Sequence, residues 1–257
     1  MTLQQLLNIP LPIIQAPMAG VQDHALAAAV SEVGGLGSLP CATIGPEEMR
    51  RQMIALRGKT SGPFNVNFFC HAEPGVDEGR AAGWRSVLAP YFAEFGVDAS
   101  SIVAGPQRLP FNHDAADVVC ELKPAVVSFH FGLPSAELLE RVRGCGAKIL
   151  STATNVAEAT WLEARGVDAI IAQGSEAGGH RGIFLSKDLN TQCGTLALVP
   201  QVVAAVKVPV IAAGGIADAR GGGGGDGAGG GGGAGGDGLF ALHGGDDGCT
   251  ASCGTEE

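Results

Sequence analysis

Short runs of apolar, β-branched residues recur along the chain and are separated by amphipathic stretches. The runs are continuously apolar, which is typical of parallel strands that helices cover on both faces. They predict seven strands, over residues 12–18, 35–40, 64–69, 125–131, 148–153, 169–174 and 208–215. The stretches between them predict helices over residues 24–34, 45–60, 135–146 and 155–166.

Seven strand–helix units, with room for an eighth, predict one α/β domain of the (β/α)8 or TIM barrel type rather than an open sheet. The 257 residues, of which 46% are hydrophobic, suffice for one large core. We expect the barrel to occupy residues 1–220, with an elaborated loop region over residues 71–123 above the third strand. Aromatic residues on a helical period fall inside that region, at Trp84, Tyr91 and Phe95.

Residues 221–257 break this pattern, because 18 of them are glycine, a poor former of helix and strand interiors. A one-base frameshift is one explanation. With one choice of codons, residues 225–229 become Ala-Met-Ala-Leu and residues 237–242 become Thr-Ala-Tyr-Leu-Leu in the shifted frame. The alternative is a disordered, low-complexity tail of genuine sequence. We favour the frameshift, with the eighth strand and the C-terminal helices lost or garbled after Arg220.

The excess of acidic residues is also larger after Arg220 than before it. The formal charge is −10, but residues 221–257 hold six acidic residues and no Lys or Arg, which leaves 20 acids against 16 bases before them. The resulting charge of −4 gives no electrostatic footprint for nucleic acid. No segment reaches the roughly 18–20 apolar residues of a membrane helix, and no basic region precedes an apolar run at the N-terminus, so we expect a cytoplasmic protein.

The seven cysteines are scattered along the chain without a CxxC pair. This odd number and these spacings argue against a disulfide framework and against a zinc site, and we expect no bound metal. Buried, small apolar roles are expected for Cys41, Cys70 and Cys193.

Polar and glycine-rich residues follow most of the predicted strands, and a barrel carries its chemistry at these strand ends. After the sixth strand, Gln173 offers an amide that can satisfy a ring carbonyl and a ring nitrogen together. Gly174, Gly178 and Gly179 let the backbone approach a flat or phosphorylated ligand. His180 follows, and an imidazole with a pKa of about 6.5 can take or share a proton at neutral pH. A solvated histidine on a glycine-rich loop is the alternative for this motif alone.

Three other strand ends give weaker signals. The seventh strand runs into Gly214 and Gly215 and then a helix start, a turn that can hold a phosphate. Asn65 and Asn67 lie on one face of the third strand, because side chains alternate, and one of them can reach a cofactor. Met18, at the end of the first strand, can form a wall for an aromatic ring system. The alternatives are that these glycines and asparagines serve only the turns and that Met18 is a core residue.

Taken together and in this order, IIQAPMAG, NVNFFCH, SFHFGLP, AQGSEAGGHRG and VIAAGGIADAR closely resemble the nitronate monooxygenases, formerly called 2-nitropropane dioxygenases. The resemblance covers residues 11–220, and QGSEAGGH is its specific part. It implies an FMN-containing barrel that oxidises a small-molecule alkyl nitronate with dioxygen, giving a carbonyl compound and nitrite without a nicotinamide. It says nothing of the oligomeric state.

The resemblance also implies roles for individual residues. Those that would contact FMN are Asn67, Gln173, Gly178, Gly215 and, at the phosphate, Gly214. His180 would stand near the flavin N5 as the catalytic histidine, holding the nitro oxygens or taking the α-proton of a neutral nitroalkane. Ser128 and His130 on the fourth strand are left open between a flavin-facing or substrate-facing position and a core position.

Two other functions stay open. Flavin-dependent enoyl-acyl-carrier-protein reductases of similar fold share a GGH loop and a Gly-Gly phosphate turn, but they take electrons from a nicotinamide. The other alternative is a truncated, non-catalytic barrel that binds a flavin or a phosphate. Loss of the eighth strand would remove half of the phosphate site and lower the flavin affinity.

Overall fold

The computed structural model describes residues 1–73, 75, 77–102, 109–216 and 238–242, the last of these by their backbone alone. The chain divides into two compact units, which are Met1–His71 with Pro110–Glu257 and, separately, Ala72–Leu109. Arg220, the glycine-rich residues 221–237 and the residues after 242 lie outside the described residues. The frameshift prediction therefore stays a prediction.

The larger unit is built on one eight-stranded sheet. Its strands are β1 (Ile13–Gln15), β2 (Gly37–Pro40), β3 (Phe64–Phe69), β4 (Val126–His130), β5 (Lys148–Ala153), β6 (Ala169–Gln173), β7 (Val210–Ala213) and β8 (Gly238–Leu242). Strands β2 to β7 pair in chain order and are parallel. A parallel bridge between Ile14 and Leu36 joins the two edges of the sheet, so the sheet closes into a barrel.

One helix of the larger unit precedes β1, and the others lie between the strands in sequence. They are α1 (Leu3–Leu7), α2 (His24–Glu32), α3 (Pro46–Arg57), α5 (His113–Leu122), α6 (Ala136–Gly144), α7 (Val156–Glu163) and α8 (Thr195–Ala205). All seven predicted strands and all four predicted helices are present, which confirms the α/β barrel class. Helix α5, inside the predicted loop region, packs between α3 and α6.

The eighth position of the barrel is filled in an unexpected way. The sequence predicts that the eighth strand is lost, and a (β/α)8 barrel has a parallel strand there. In the structure, β8 occupies the gap and runs antiparallel to both β1 and β7. The sheet thus closes on both sides of β8, but the direction of this strand differs from that of the other seven.

Two hydrophobic cores follow from the alternation of side chains along the strands. Phe64, Val66 and Phe68 of β3 pack outward against the surrounding helices in the larger core. The smaller core fills the amino end of the barrel, where Leu3 and Leu7 of α1 pack against the first residues of the strands. Burial of alternate residues on both sheet faces explains why the strands are apolar throughout.

One disulfide corrects the sequence analysis, which argued against a disulfide framework. Cys120 on α5 and Cys145 at the end of α6 are bonded, with their Cα atoms 5.3 Å apart. The pair is a single bond across two neighbouring helices, and a separation of 25 residues matches no spacing motif. Cys41, Cys70 and Cys193 are free, and burial raises the pKa of the Cys41 and Cys70 thiols, so both stay protonated.

The smaller unit consists mainly of α4 (Glu78–Glu94) and a 3-10 turn at Ala99–Ser101. Asp77 caps α4 by accepting a hydrogen bond from the backbone N–H of Arg80. Trp84 and Tyr91, predicted on a helical period, lie on this helix and are exposed. No helix in the described part of the chain is both long and apolar enough to cross a membrane.

Candidate functional site

Polar side chains follow the smaller hydrophobic core inside the barrel, on β2, β3 and β4. Asn65 Nδ2 donates to Ser38 Oγ at 3.0 Å and to Ser128 Oγ at 2.9 Å. Asn67 Nδ2 donates to the same Ser128 oxygen at 2.9 Å. Both asparagines are buried and face the barrel interior, as does Ser128. The sequence predicted one face for Asn65 and Asn67, and the structure confirms it.

Asn65 leaves one buried acceptor open. Its Oδ1 atom accepts no hydrogen bond from the described residues. A buried polar atom without a partner is destabilising by about 1–3 kcal/mol. A hydrogen-bond donor from outside the chain, such as a polar ring system in the barrel mouth, would satisfy it.

The amide of Gln173 holds the loop that carries His180. Its Nε2 donates to the main-chain carbonyl of His180 at 2.9 Å, and its Oε1 accepts from the Gly182 N–H at 2.7 Å. Gln173 is buried at the carboxyl end of β6, while His180 is exposed. A primary amide has a second N–H, so Gln173 keeps one donor for a ligand.

His130 contacts the same carbonyl from the fourth strand. Its Nε2 lies 3.2 Å from the His180 oxygen, and its Nδ1 lies 3.0 Å from Thr152 Oγ1. A carbonyl oxygen can only accept, so Nε2 carries the proton and Nδ1 accepts from the Thr152 hydroxyl. Burial lowers the pKa of His130 to about 4, and the hydrogen bond to His180 opposes this only in part. His130 is therefore neutral at pH 7.

Two aromatic side chains flank the imidazole of His180. The ring centroid of Phe69 lies 5.2 Å from it and that of Phe131 lies 5.8 Å from it, both in edge-on arrangements. Phe131 has a φ of 68°, a backbone conformation that costs a non-glycine residue about 1–3 kcal/mol. The fold thus maintains a strained residue at the position that places an aromatic ring beside His180.

Two acidic residues fix the ends of the His180 loop. Glu176 Oε2 accepts from the backbone N–H of Thr195 at the start of α8, at 2.7 Å. Burial alone would raise the pKa of Glu176, but this hydrogen bond and others outweigh it and lower the pKa. Glu158 is completely buried and accepts from the backbone N–H groups of Phe184 and Leu185, at 2.8 and 3.2 Å.

The glycines predicted to bind a cofactor lie in two neighbouring segments. Gly178 and Gly179 are exposed on the His180 loop, and Gly179 has a φ of 70°. Gly214 and Gly215 follow β7 with φ values of 115° and 72°. A Cβ atom on Gly214 would lie 2.6 Å from the backbone nitrogen of Ala177, so the turn packs directly against the His180 loop.

Met18 lies after β1, 37% exposed, at the carboxyl end of that strand. Among the predicted site residues, the structure joins Gln173 to His180 by a hydrogen bond, and it packs Gly214 and Gly215 against Ala177 and Glu176 of the same loop. Within the described residues, no group of three or more His, Cys, Asp or Glu side chains is placed to hold a metal ion.

Sequence reasoning missed Glu158 and Thr152, both of which support the His180 loop. A local signal exists for Glu158, since Asn155 caps α7 and Glu158 stands three residues later, as in a capping box. The hydrogen bonds of Glu158 to Phe184 and Leu185 have no such signal, because they join residues far apart in sequence.

We expect Gly214→Ala to lower the free energy of unfolding by about 2–4 kcal/mol, because alanine is strained at positive φ and its Cβ would overlap Ala177. Urea unfolding with circular dichroism measures the change. Gly144→Ala is the matched control, since a Cβ there meets nothing within 4 Å at the end of α6. Equal stabilities of the two variants would show that the Gly214 turn does not pack against the loop in solution.

Comparison with known proteins identifies the family. The nitronate monooxygenase family model matches residues 1–222. A nitronate monooxygenase of Paraburkholderia phytofirmans is 45% identical over 224 residues, which are 84% of this chain and 59% of the relative. A similar relative from Pseudomonas aeruginosa, also named nitronate monooxygenase, is 44% identical, over 84% of this chain and 62% of that protein.

A solved structure agrees with these relatives. A nitroalkane oxidase from Streptomyces ansochromogenes has a TM-score of 0.71 and 40% sequence identity to this chain, with 81% of this chain and 59% of that chain covered. FabK from Thermotoga maritima has a TM-score of 0.62 and 31% identity, with 86% and 56% covered.

The chain thus spans about three fifths of the length of the curated relatives that it matches. The match of the family model runs through all the strand ends described above, from β1 to β7. It confirms the resemblance inferred from the sequence motifs, and the chain belongs to the nitronate monooxygenase family.

Proposed function

We propose that this chain binds FMN and oxidises alkyl nitronates with dioxygen, giving a carbonyl compound and nitrite. The observation that supports this best is the placement of His180. Its imidazole is exposed at the carboxyl end of β6, while its main-chain carbonyl accepts hydrogen bonds from both Gln173 and His130. A fixed backbone with an exposed imidazole suits a group that must meet a small substrate in one orientation.

The residues at the carboxyl end of the barrel fit a flavin. Asn65 Oδ1 offers a buried acceptor, and Gln173 keeps a donor N–H, so a heterocycle with polar edges has partners of both kinds. We propose that Asn67, Gly178 and Gly179 contact the cofactor with Gln173. The turn of Gly214 and Gly215 would hold its phosphate, and Met18 would lie against its ring. When bound, the flavin accepts electrons from the substrate and passes them to dioxygen.

The protein residues supply binding and proton handling. His180 would donate a hydrogen bond to the nitro oxygens of a nitronate or take the α-proton of a neutral nitroalkane. Phe69 and Phe131 flank its ring and would exclude water from one side of the substrate. Both phenylalanine side chains are only partly buried, so part of their apolar surface is accessible to the alkyl group of the substrate.

The proposed activity predicts that the purified chain, supplied with FMN, releases nitrite and consumes dioxygen with propane-2-nitronate. The physical reason is that the nitronate is already deprotonated, so only orientation and electron transfer are required. Nitrite assays and an oxygen electrode, with and without NADH, measure the result, and no dependence on NADH is expected. Flavin binding without turnover of any nitronate would instead indicate a non-catalytic flavin-binding barrel.

A second candidate function is a flavin-dependent enoyl-acyl-carrier-protein reductase. The GGH loop at residues 178–180 and the Gly-Gly turn at residues 214–215, which such reductases share, support it. Such an enzyme must accept electrons from a nicotinamide, so rapid bleaching of the flavin by NADH or NADPH under anaerobic conditions would favour this function. Slow bleaching together with fast nitronate turnover would favour nitronate oxidation.

A further inference from the structure

We infer that His130 is a positioning residue, which fixes the main chain at His180 and whose own imidazole neither takes nor gives a proton in the reaction. The significance of this for catalysis rests on the proposed function of His180. The placement of the His180 loop does not rest on that proposed function, because it follows from contacts within the chain.

The hydrogen bonds of His130 leave no nitrogen free for a substrate. Nε2 donates to the His180 carbonyl, and Nδ1 accepts from the hydroxyl of Thr152. The His180 carbonyl can only accept, so it requires the proton on Nε2, and the hydroxyl of Thr152, which is buried on β5 next to β4, then donates to Nδ1. A histidine used as a base needs a free lone pair, and the lone pair of His130 is already occupied.

Close packing at Gly182 supports the same role independently. A Cβ atom on Gly182 would lie 2.8 Å from Cε1 of His130 and 2.7 Å from Cγ2 of Thr152. The backbone two residues after His180 therefore lies directly on the His130 and Thr152 side chains. Gln173 binds the other side of this segment, through the His180 carbonyl and the Gly182 N–H.

The carbonyl of His180 thus accepts hydrogen bonds from two side chains on different strands, β4 and β6. Two donors on one oxygen fix its position more narrowly than either donor alone. Because the carbonyl and the Cα atom of His180 belong to one rigid unit, this also limits where the imidazole can point. The role of His130 is therefore to reduce the orientations available to His180 before the substrate binds.

Hydrogen exchange of the full-length chain, followed by mass spectrometry of peptides that cover residues 176–185, tests the inference without any catalytic assay. His130→Leu removes the donor, and His130→Gln keeps an N–H near the place of Nε2. We expect about tenfold faster exchange in His130→Leu and exchange within about twofold of the wild type in His130→Gln. His113→Leu, at an exposed position of α5, is the matched control and should leave this peptide unchanged.

Gly182→Ala provides a second variant that leaves the hydrogen-bonding groups of His130 intact. Its methyl group would push the loop away from His130 and Thr152, so we again expect about tenfold faster exchange. Gly144→Ala is its control. Unchanged exchange in both His130→Leu and Gly182→Ala would overturn the inference.

The pH dependence of kcat/KM with a neutral nitroalkane separates a positioning residue from a base. For a positioning residue, His130→Gln keeps the acidic limb of the profile, and His130→Leu lowers the plateau about tenfold without moving that limb. Loss of the limb in His130→Gln would identify His130 as the base and overturn the inference. If the wild type turns over no nitro compound, the proposed function fails, and the exchange experiment still decides the role of His130.

Discussion

Replacement of His180 by asparagine is expected to lower kcat/KM for neutral nitroalkanes by about 10²–10⁴-fold, the usual contribution of a general base. The imidazole of His180 is exposed at the carboxyl end of the barrel, with its backbone held by Gln173 and His130. Asparagine keeps a hydrogen-bond donor of similar reach but cannot take a proton at neutral pH. The variant should therefore fail in proton abstraction and keep much of its ability to hold the nitro group.

Nitronates provide the internal control for this prediction, because they have already lost the α-proton. With propane-2-nitronate, His180→Asn should retain kcat/KM within about tenfold of the wild type, since only one hydrogen bond changes. His113→Asn, on the surface of α5, should leave both substrates unaffected. Steady-state nitrite release with each substrate measures the ratio. Full turnover of neutral nitroalkanes by His180→Asn would remove the proposed role of His180.

Much of this fold could be predicted from the sequence, because the strands are buried on both faces and read as continuous apolar runs. Strands β3 and β5 match the predicted ranges 64–69 and 148–153 at both ends. The direction of β8 could not be predicted, because residues 238–242 are a short apolar run in a glycine-rich segment, and a hydrophobic pattern does not encode the direction of a strand. The Cys120–Cys145 bond was missed because it depends on the approach of two helices, which a spacing rule does not capture.

The site could be located from local motifs, but its supporting contacts could not. His180 and Gln173 stand in one glycine-rich motif, so the sequence placed them together. His130 and Glu158 act on the same loop from positions 50 and 26 residues away, through hydrogen bonds to backbone atoms. A hydrogen bond to a backbone atom does not depend on the residue type of that partner, so the sequence does not indicate it. Only the three-dimensional arrangement shows these contacts.

The glycines of the predicted site have two possible roles, which are the close approach of a ligand and close packing within the chain. From the sequence, the glycines after β6 and β7 are predicted to let a ligand approach the backbone closely. Gly174 instead packs on the start of α8, because a Cβ there would lie 2.1 Å from Oγ1 of Thr195. Gly179 has open space around a hypothetical Cβ, so its surroundings leave room for a ligand. After β6, contacts within the chain therefore separate the structural Gly174 from Gly179, which remains a candidate binding residue.

The largest effect on stability is expected at Glu158, which is fully buried and whose carboxylate joins α7 to the segment after His180. Oε2 accepts from the backbone N–H and the hydroxyl of Thr154, each at 2.8 Å, while Oε1 accepts from the N–H groups of Phe184 and Leu185. Glu158→Ala would leave the buried N–H group of Thr154 and the part-buried N–H groups of Phe184 and Leu185 without an acceptor. At about 1–3 kcal/mol for each unpaired group, and with some relaxation, we expect a loss of about 3–6 kcal/mol in the free energy of unfolding.

Glu158→Gln distinguishes this account from a simple loss of side-chain volume. Glutamine has the same shape but one acceptor oxygen, so it can serve Phe184 and Leu185 or Thr154, and we expect a smaller loss of about 1–3 kcal/mol. Urea unfolding followed by tryptophan fluorescence suits the measurement, because the Trp161 ring lies 5.1 Å from that of Phe184. The exposed Glu137→Ala on α6 is the control and should change stability by less than about 1 kcal/mol. If Glu158→Gln proved as unstable as Glu158→Ala, the negative charge rather than the number of acceptors would be the main contribution of this residue.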